Sequence, residues 1–282
     1  MMRTPFADKD LARSFAADAR EAAEWVRVAS RIPGLAPASL EVGGGTAVFI
    51  APGSVLNGTS GLGFRGPVSA RELEEIEDFF ADHGEPATIE VCPLADPSLA
   101  DRLGKRGWVP DGFENVLYLA LDEVGPEDGA PACGPDELWP VDLRVSTRVI
   151  EPDERELWAD VMARGFAEGE PTALERQTAA IVSGRDDLIF VLGMLEDEPA
   201  GAGQLGIRKH VAHFNSDATL SRFRGHGIQS AMLRARIWIA KAADCDLAVI
   251  EAEPGSRSQR NMERLGFRIA WTDVTFRKGV RA

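Results

Sequence analysis

Two glycines flanked by cations stand at the centre of this chain. The run Arg222-Phe223-Arg224-Gly225-His226-Gly227 separates a loosely alternating stretch, 211–220, from a stretch in which Ile228, Met232, Leu233, Ile237 and Ile239 recur near a period of 3.6. Strand, glycine loop and helix in that order suit an anion. Glycine accepts positive φ and lets a ligand approach the backbone closely. The helix start behind it offers N–H groups without intrahelical acceptors and a partial positive charge. Arg222, Arg224 and His226 add cationic character. The chemistry indicated is phosphate or pyrophosphate binding; the same spacing also serves a plain strand–helix turn.

Titratable groups lie on both sides of that loop. His213 and Asp217 fall on the strand 211–220, and Glu251 and Glu253 on the strand expected at 246–253. Glu251 and Glu253 are two apart and share a face. A carboxylate at the mouth of an apolar cleft has a raised pKa and can take a proton from a substrate. The competing reading is a solvated or paired strand-end charge, and for His213 a structural imidazole. Cys92, Cys133 and Cys245 are too few and too scattered for a disulfide framework or a metal knuckle, so no metal is expected.

The elements that must position these residues follow from pattern. In the second half, strand 143–150, helices 152–166 and 172–183, a hairpin of 188–195 and 200–207, strand 211–220, a helix from Ile228, strand 246–253, helix 256–265 and strand 274–277 give the order β-α-α-β-β-β-α-β-α-β. In the first half a helix is expected over 8–27, a strand over 47–50 and a loop over 54–67. A helix follows from Ser69, where Ser69-x-x-Glu72 fits a capping box, then strand 88–92, helix 97–106 and strand 113–121. The stretch 122–140, dense in Pro, Gly and acid, reads as a linker.

With 282 residues, 31 basic against 45 acidic and a net charge of −14, the chain is long enough for two domains and poorly suited to nucleic-acid backbone or anionic membrane surfaces. No apolar run approaches a membrane span and the N-terminus lacks a signal-peptide core, so the cytoplasm is the expected location.

Arg222-x-x-Gly225-x-Gly227 resembles the acetyl-CoA loop of the GNAT N-acetyltransferase superfamily, Arg/Gln-x-x-Gly-x-Gly/Ala. Asn261 before a terminal Leu265-Gly266-Phe267 is similar to that superfamily's second signature, and the resemblance covers Leu143 to Arg277. The first half repeats the pattern: Leu103-Gly104-Lys105-Arg106-Gly107-Trp108 parallels Arg264-Leu265-Gly266-Phe267, each between a strand–helix pair and a strand. The implied fold class is α/β, with tandem GNAT-like domains of mixed, mostly antiparallel sheet. Domain 1–122 is the degenerate copy, 123–140 the linker and 141–282 the acetyl-CoA-binding catalytic domain.

The resemblance implies acetyl-CoA as cofactor, with its pyrophosphate at Arg222, Arg224, Gly225, His226, Gly227 and Ile228, and its pantetheine along Ala218, Thr219 and Leu220 and near Asn261. It implies direct attack of a small-molecule or amino-acid-like amine, with Asp217, Glu251, Glu253 and Ser258 as catalytic candidates. Relatives carry a thiolate-protonating Tyr where this chain has Met262; the only tyrosine is Tyr118. Trp139, Trp158, Trp238 and Trp271 could line the acceptor pocket, with Trp238 more readily core; Phe64, Trp25 and Trp108 could contribute from the first half. A silent acyl-CoA-binding protein and an interaction scaffold are the competing classes, and the chain is expected as a monomer or a homodimer.

Overall fold

A computed structural model of the chain describes residues 19–125, 142, 144–167 and 169–279. The start of the first expected helix, most of the expected linker, Cys133 and Trp139 lie outside these residues. The described chain forms two compact units, 19–116 with 270–279, and 117–269.

Unit 1 opens with α1 (Ala19–Ala29), β1 (Ala38–Val42), β2 (Gly45–Phe49) and β3 (Gly58–Ser60). It continues with α2 (Ala70–Asp82), β4 (Ala87–Val91), α3 (Ser98–Lys105) and most of β5 (Val109–Ala120). The C-terminal strand β11 (Arg268–Lys278) supplies its remaining strand. The order is β1-β2-β3-β4-β11. β3 runs parallel to β4 through Thr59↔Ile89, and β4 runs antiparallel to β11 from Val91↔Val274 to Ala87↔Lys278. Leu62, Leu73, Ile76, Phe80, Ile89 and Leu103 form the core. The capping box at Ser69 and Glu72 is present, a motif that stabilises a helix start by about 1 kcal/mol. β3 lies inside the stretch expected as loop, because three residues paired on both edges need no sequence alternation to hold.

Unit 2 contains β6 (Val145–Val149), α4 (Arg155–Phe166), α5 (Ala173–Ser183), β7 (Leu188–Leu195), β8 (Glu198–Arg208), β9 (Val211–Thr219), α6 (Ile228–Ala242), β10 (Leu247–Ala252) and α7 (Arg257–Arg264). A 3-10 turn, Pro152–Glu154, precedes α4. Strand order is β5-β10-β9-β8-β7-β6, with β6 to β9 antiparallel and β9–β10 parallel. This is the expected element order. Leu205, Phe214, Leu233, Ile237, Ile250 and Phe267 are among its core residues.

Two strands, β5 and β11, are each divided between the units. From Ala270 onward β11 belongs to unit 1, where the sequence pattern assigns it to the second domain; residues 117–120 of β5 belong to unit 2, and Leu121 N–H donates to Asp246 O at 2.9 Å. Antiparallel pairing with β4 is a long-range relation that no local pattern in 268–278 encodes. Among the described residues no helix is long and apolar enough to cross a membrane.

Candidate active site

The site is built where β9 and β10 part. Their parallel ladder runs from Val211↔Leu247 to Phe214↔Ile250 and ends there. Beyond it, Asn215 to Thr219 continue against β8 alone, through a bulge at which the register shifts between Ala202 and Gln204 and Ser216 takes φ 60°. Such a bulge bends a strand and increases its local twist. Two parallel strands that diverge leave an edge to which an extended ligand can add as a strand.

The glycine loop follows directly. Gly225 and Gly227 have φ 90° and 82°, in the left-handed region, and no atom lies within 4 Å of where their Cβ would sit. Gly227 is the N-cap of α6 but gives no side-chain cap, and no acidic residue occupies the first turn. Ala231 N–H reaches Gly227 O at 2.9 Å, so the amides of Ile228, Gln229 and Ser230 precede the first intrahelical bond. An α-helix start without its own cap or acid is an anion site.

Two glycines that sequence reasoning missed seat this helix start on the sheet. A Cβ at Gly193 of β7 or Gly201 of β8 would lie 2.6 Å or 2.7 Å from Ile228 Cγ2. Ile228 is accordingly buried against Met232 and Val191. A Cβ at Gly165, in the last turn of α4, would lie 2.7 Å from Ala218 Cβ, so that helix packs just as closely on β9. Glycines inside strands were the available signal for close backbone approach.

The cations of the loop are held in place. Arg224 Nη2 donates to Gly165 O at 3.2 Å and its Nε to Thr219 O at 3.3 Å. Arg222 pairs with Glu198 at 3.0 Å and lies over the Phe223 ring. His226 Nδ1 is 3.2 Å from Asp142 Oδ2, and Asp142 is also gripped by Arg144, which holds its carboxyl well below the usual range. Leu220 N–H donates to Ala200 O at 2.9 Å, while Ala218 is buried.

On the far bank, Gln229 joins Ser258 and Asn261. Its Nε2 donates to Ser258 Oγ at 2.8 Å, and Asn261 Nδ2 donates to its Oε1 at 2.7 Å. Arg264 completes the chain by donating to Asn261 Oδ1 at 2.9 Å. Both candidates therefore stand in one network bridging α6 and α7, and Gln229 is the link that no motif indicated. Glu251 is the first residue past the end of the β9–β10 ladder and Glu253 follows β10; both are exposed.

Other expected residues take different places. Asp217 is bound by the buried Arg236 of α6. Met262 is 1% exposed within the core. Trp158 is fully buried, its Nε1 donating to Val191 O and Gly203 O, and Trp271 is buried in unit 1. Neither therefore lines an open pocket, and Trp238, favoured as core, is 42% exposed because it faces outward from α6. Trp108 is buried beside Glu77, to which its Nε1 donates.

Residues 155–267 match the Acetyltransferase (GNAT) family. No curated protein matches the chain in sequence. Among solved structures the chain is similar to a GCN5-related N-acetyltransferase from Kribbella flavida, at 17% identity, covering 92% of this chain and 94% of that one, with a TM-score of 0.60. A GCN5-related N-acetyltransferase from Sphaerobacter thermophilus matches at 18% identity over 87% and 76%, with a TM-score of 0.58. A tandem GNAT protein from the clavulanic acid biosynthesis pathway matches at 15% identity over 95% and 97%, with a TM-score of 0.58. The matched residues 155–267 include the glycine loop, the parted strands and the Ser258–Gln229–Asn261 bridge. Residues 155–267 are thus similar to the Acetyltransferase (GNAT) family, in a chain whose fold is similar to that of a tandem GNAT protein.

Proposed function

We propose that the chain is an acetyl-CoA-dependent N-acetyltransferase whose acceptor is the primary amine of a small molecule or an amino-acid-like compound. The observation that carries this reading is the uncapped start of α6 behind two open, positive-φ glycines, at the place where β9 leaves β10. Acetyl-CoA supplies the activated acyl group and an anionic pyrophosphate. The amides of Ile228, Gln229 and Ser230 suit that pyrophosphate, and the backbone of Ala218 and Thr219 suits the amide-bearing arm as an added strand. A backbone N–H in that stretch would also stabilise negative charge developing on a thioester oxygen. Glu251 and Glu253, past the end of the ladder, are the proposed proton acceptors for the attacking ammonium. Ser258 Oγ, held by Gln229, is the proposed donor to the leaving sulfur.

A second reading is an acyl-CoA-binding protein without turnover. Met262 favours it, since a buried thioether stands where relatives carry the thiolate-protonating Tyr.

Calorimetry with acetyl-CoA tests the reading, comparing wild type with Gly225→Trp, whose indole would fill the loop. Micromolar binding by wild type, lost in the variant, supports the site; thiol release on adding an amine panel then separates enzyme from binder. Absence of binding by wild type would sink both.

A further inference from the structure

Arg236 reaches from α6 into the bulge of β9. Its side chain is fully buried and that of Asp217 is 7% exposed. The guanidinium binds Asp217 Oδ1 through Nη2. Through Nη1 it donates to Gln204 O at 3.1 Å and Asn215 O at 3.4 Å. These carbonyls belong to the residue pair Gln204↔Asn215; the next pair in register is Ala202↔Ala218, so Ser216 and Asp217 together oppose Gly203. The guanidinium therefore grips β8 and β9 where one strand carries an extra residue. Gly203 makes room for it, since a Cβ there would lie 3.1 Å from Arg236 Cζ. Ser216, at φ 60°, holds a conformation that a serine keeps only when its surroundings impose it.

A base must exchange protons with its substrate and with solvent. Asp217 instead neutralises a guanidinium whose charge is permanent and which no water reaches. The next two residues, Ala218 and Thr219, are those whose backbone suits the acyl-CoA arm. We propose that Arg236 and Asp217 are positioning residues, a buried pair that pins the β9 bulge and thereby aims the Ala218–Thr219 backbone into the cleft. The inference rests on the acyl-CoA reading. It assigns Asp217 to geometry where the sequence pattern made it a candidate base.

The test uses Asp217→Asn, Arg236→Lys and the double variant Arg236→Met/Asp217→Leu. Removing one partner of a buried pair can unfold a protein, whereas replacing both with apolar residues is often tolerated. Three readouts are taken: hydrogen exchange of the 215–219 amides, affinity for acetyl-CoA, and kcat with its pH profile. A pinning role predicts at least roughly tenfold faster exchange at 215–219, weaker acetyl-CoA binding, and kcat lower by about 10–100-fold with an unchanged pH midpoint, as expected for an ångström-scale misplacement. A lost or shifted pH midpoint in Asp217→Asn with unchanged exchange would make Asp217 the base and overturn the proposal. Wild-type exchange and wild-type kcat in the folded double variant would also overturn it. If wild-type protein binds no acetyl-CoA, the acetyltransferase reading fails, and the exchange arm still decides whether the pair pins the bulge.

Discussion

The amide of Asp96 donates to the carbonyl of Gly63 across 2.9 Å, and this bond closes in unit 1 the place that unit 2 leaves open. Each unit has a parallel strand pair followed by a glycine loop and a helix: β3–β4 with 61–66, and β9–β10 with 222–227. In unit 1 the loop folds inward. Leu62 is 1% exposed, and a Cβ at Gly63 would lie 3.1 Å from both Ala95 Cβ and Asp96 N. The start of α2 is already satisfied, with Ser69 N–H donating to the Glu72 carboxylate at 2.7 Å. A pyrophosphate there would meet a carboxylate; at α6 it would meet amides. One acyl-CoA per chain is therefore expected. Calorimetric stoichiometry near two would show that unit 1 keeps a working loop.

The packing of Ile228 between two strand glycines makes the glycine loop sensitive to residues outside it. Gly193→Ala places a methyl 2.6 Å from Ile228 Cγ2 and 3.1 Å from Met232, so the first turn of α6 must lift. Overpacking of this kind costs about 1–3 kcal/mol. Acetyl-CoA affinity should fall with stability, and Ile228→Ala should restore part of both by vacating the contested volume. A coupling of about 1 kcal/mol or more between the two substitutions in urea unfolding is the expected sign of contact. Additive effects would mean that the strand and helix yield independently.

Much of this was legible. The run Arg222–Gly227 sits on the expected loop between a strand and a helix, and Ser69-x-x-Glu72 caps the expected helix, because both motifs act through neighbours in sequence. What pattern could not reveal is partnership at a distance. Arg236 reads as one more polar residue on an amphipathic helix; its burial follows only from Asp217 and the bulge carbonyls. Gln229 carries no motif, yet it joins Ser258 to Asn261. Trp238 fits the apolar period of α6 but points outward, because a helix of this composition has more apolar positions than its sheet can cover.

The carboxylates of unit 1 shift in opposite directions and give its stability two pH limbs. Burial of Glu77, 4% exposed, pushes its pKa up, but bonds from Arg106, Lys278 and Trp108 outweigh this and bring it to about 2. Its folded value lies below the unfolded one, so its contribution is present above pH ~4.5 and drains away as pH falls toward about 2, an effect of about 3 kcal/mol at neutral pH. Glu77→Gln should lose that stability at pH 7 and flatten the acid limb. Glu90 behaves oppositely: burial, followed by the charges of Asp273, Glu114 and Glu21, raises it to about 8. Its protonated form favours folding, so stability should decline as pH rises from ~4.5 through about 8. Glu90→Gln should be more stable than wild type at pH 9 and no more stable at pH 4. Parallel urea profiles for the two proteins across that range would refute the assignment.

The assignment of β11 from Ala270 onward to unit 1 makes that strand a structural part of it. Ending the chain after Ile269 removes the β11 partners of Ala87 to Val91, the hydrogen bond from Thr272 Oγ1 to Asn115 Oδ1 at 2.6 Å, and the Lys278 ammonium that bonds Glu77 at 2.9 Å. β4 would then present an unpaired edge, and Glu77 would keep its burial with one cation fewer. The glycine loop, β9, β10 and α7 all lie within 117–269 and lose nothing of their own. Truncation should therefore melt unit 1 selectively. Hydrogen exchange should rise across 45–60 and 87–105 while protection at 188–252 persists, and acetyl-CoA affinity should fall by less than about tenfold, since sub-global opening leaves the other cooperative unit intact. Loss of protection first in 188–252 would mean that the terminal strand supports the second unit, and that β11 is not the strand unit 1 depends on.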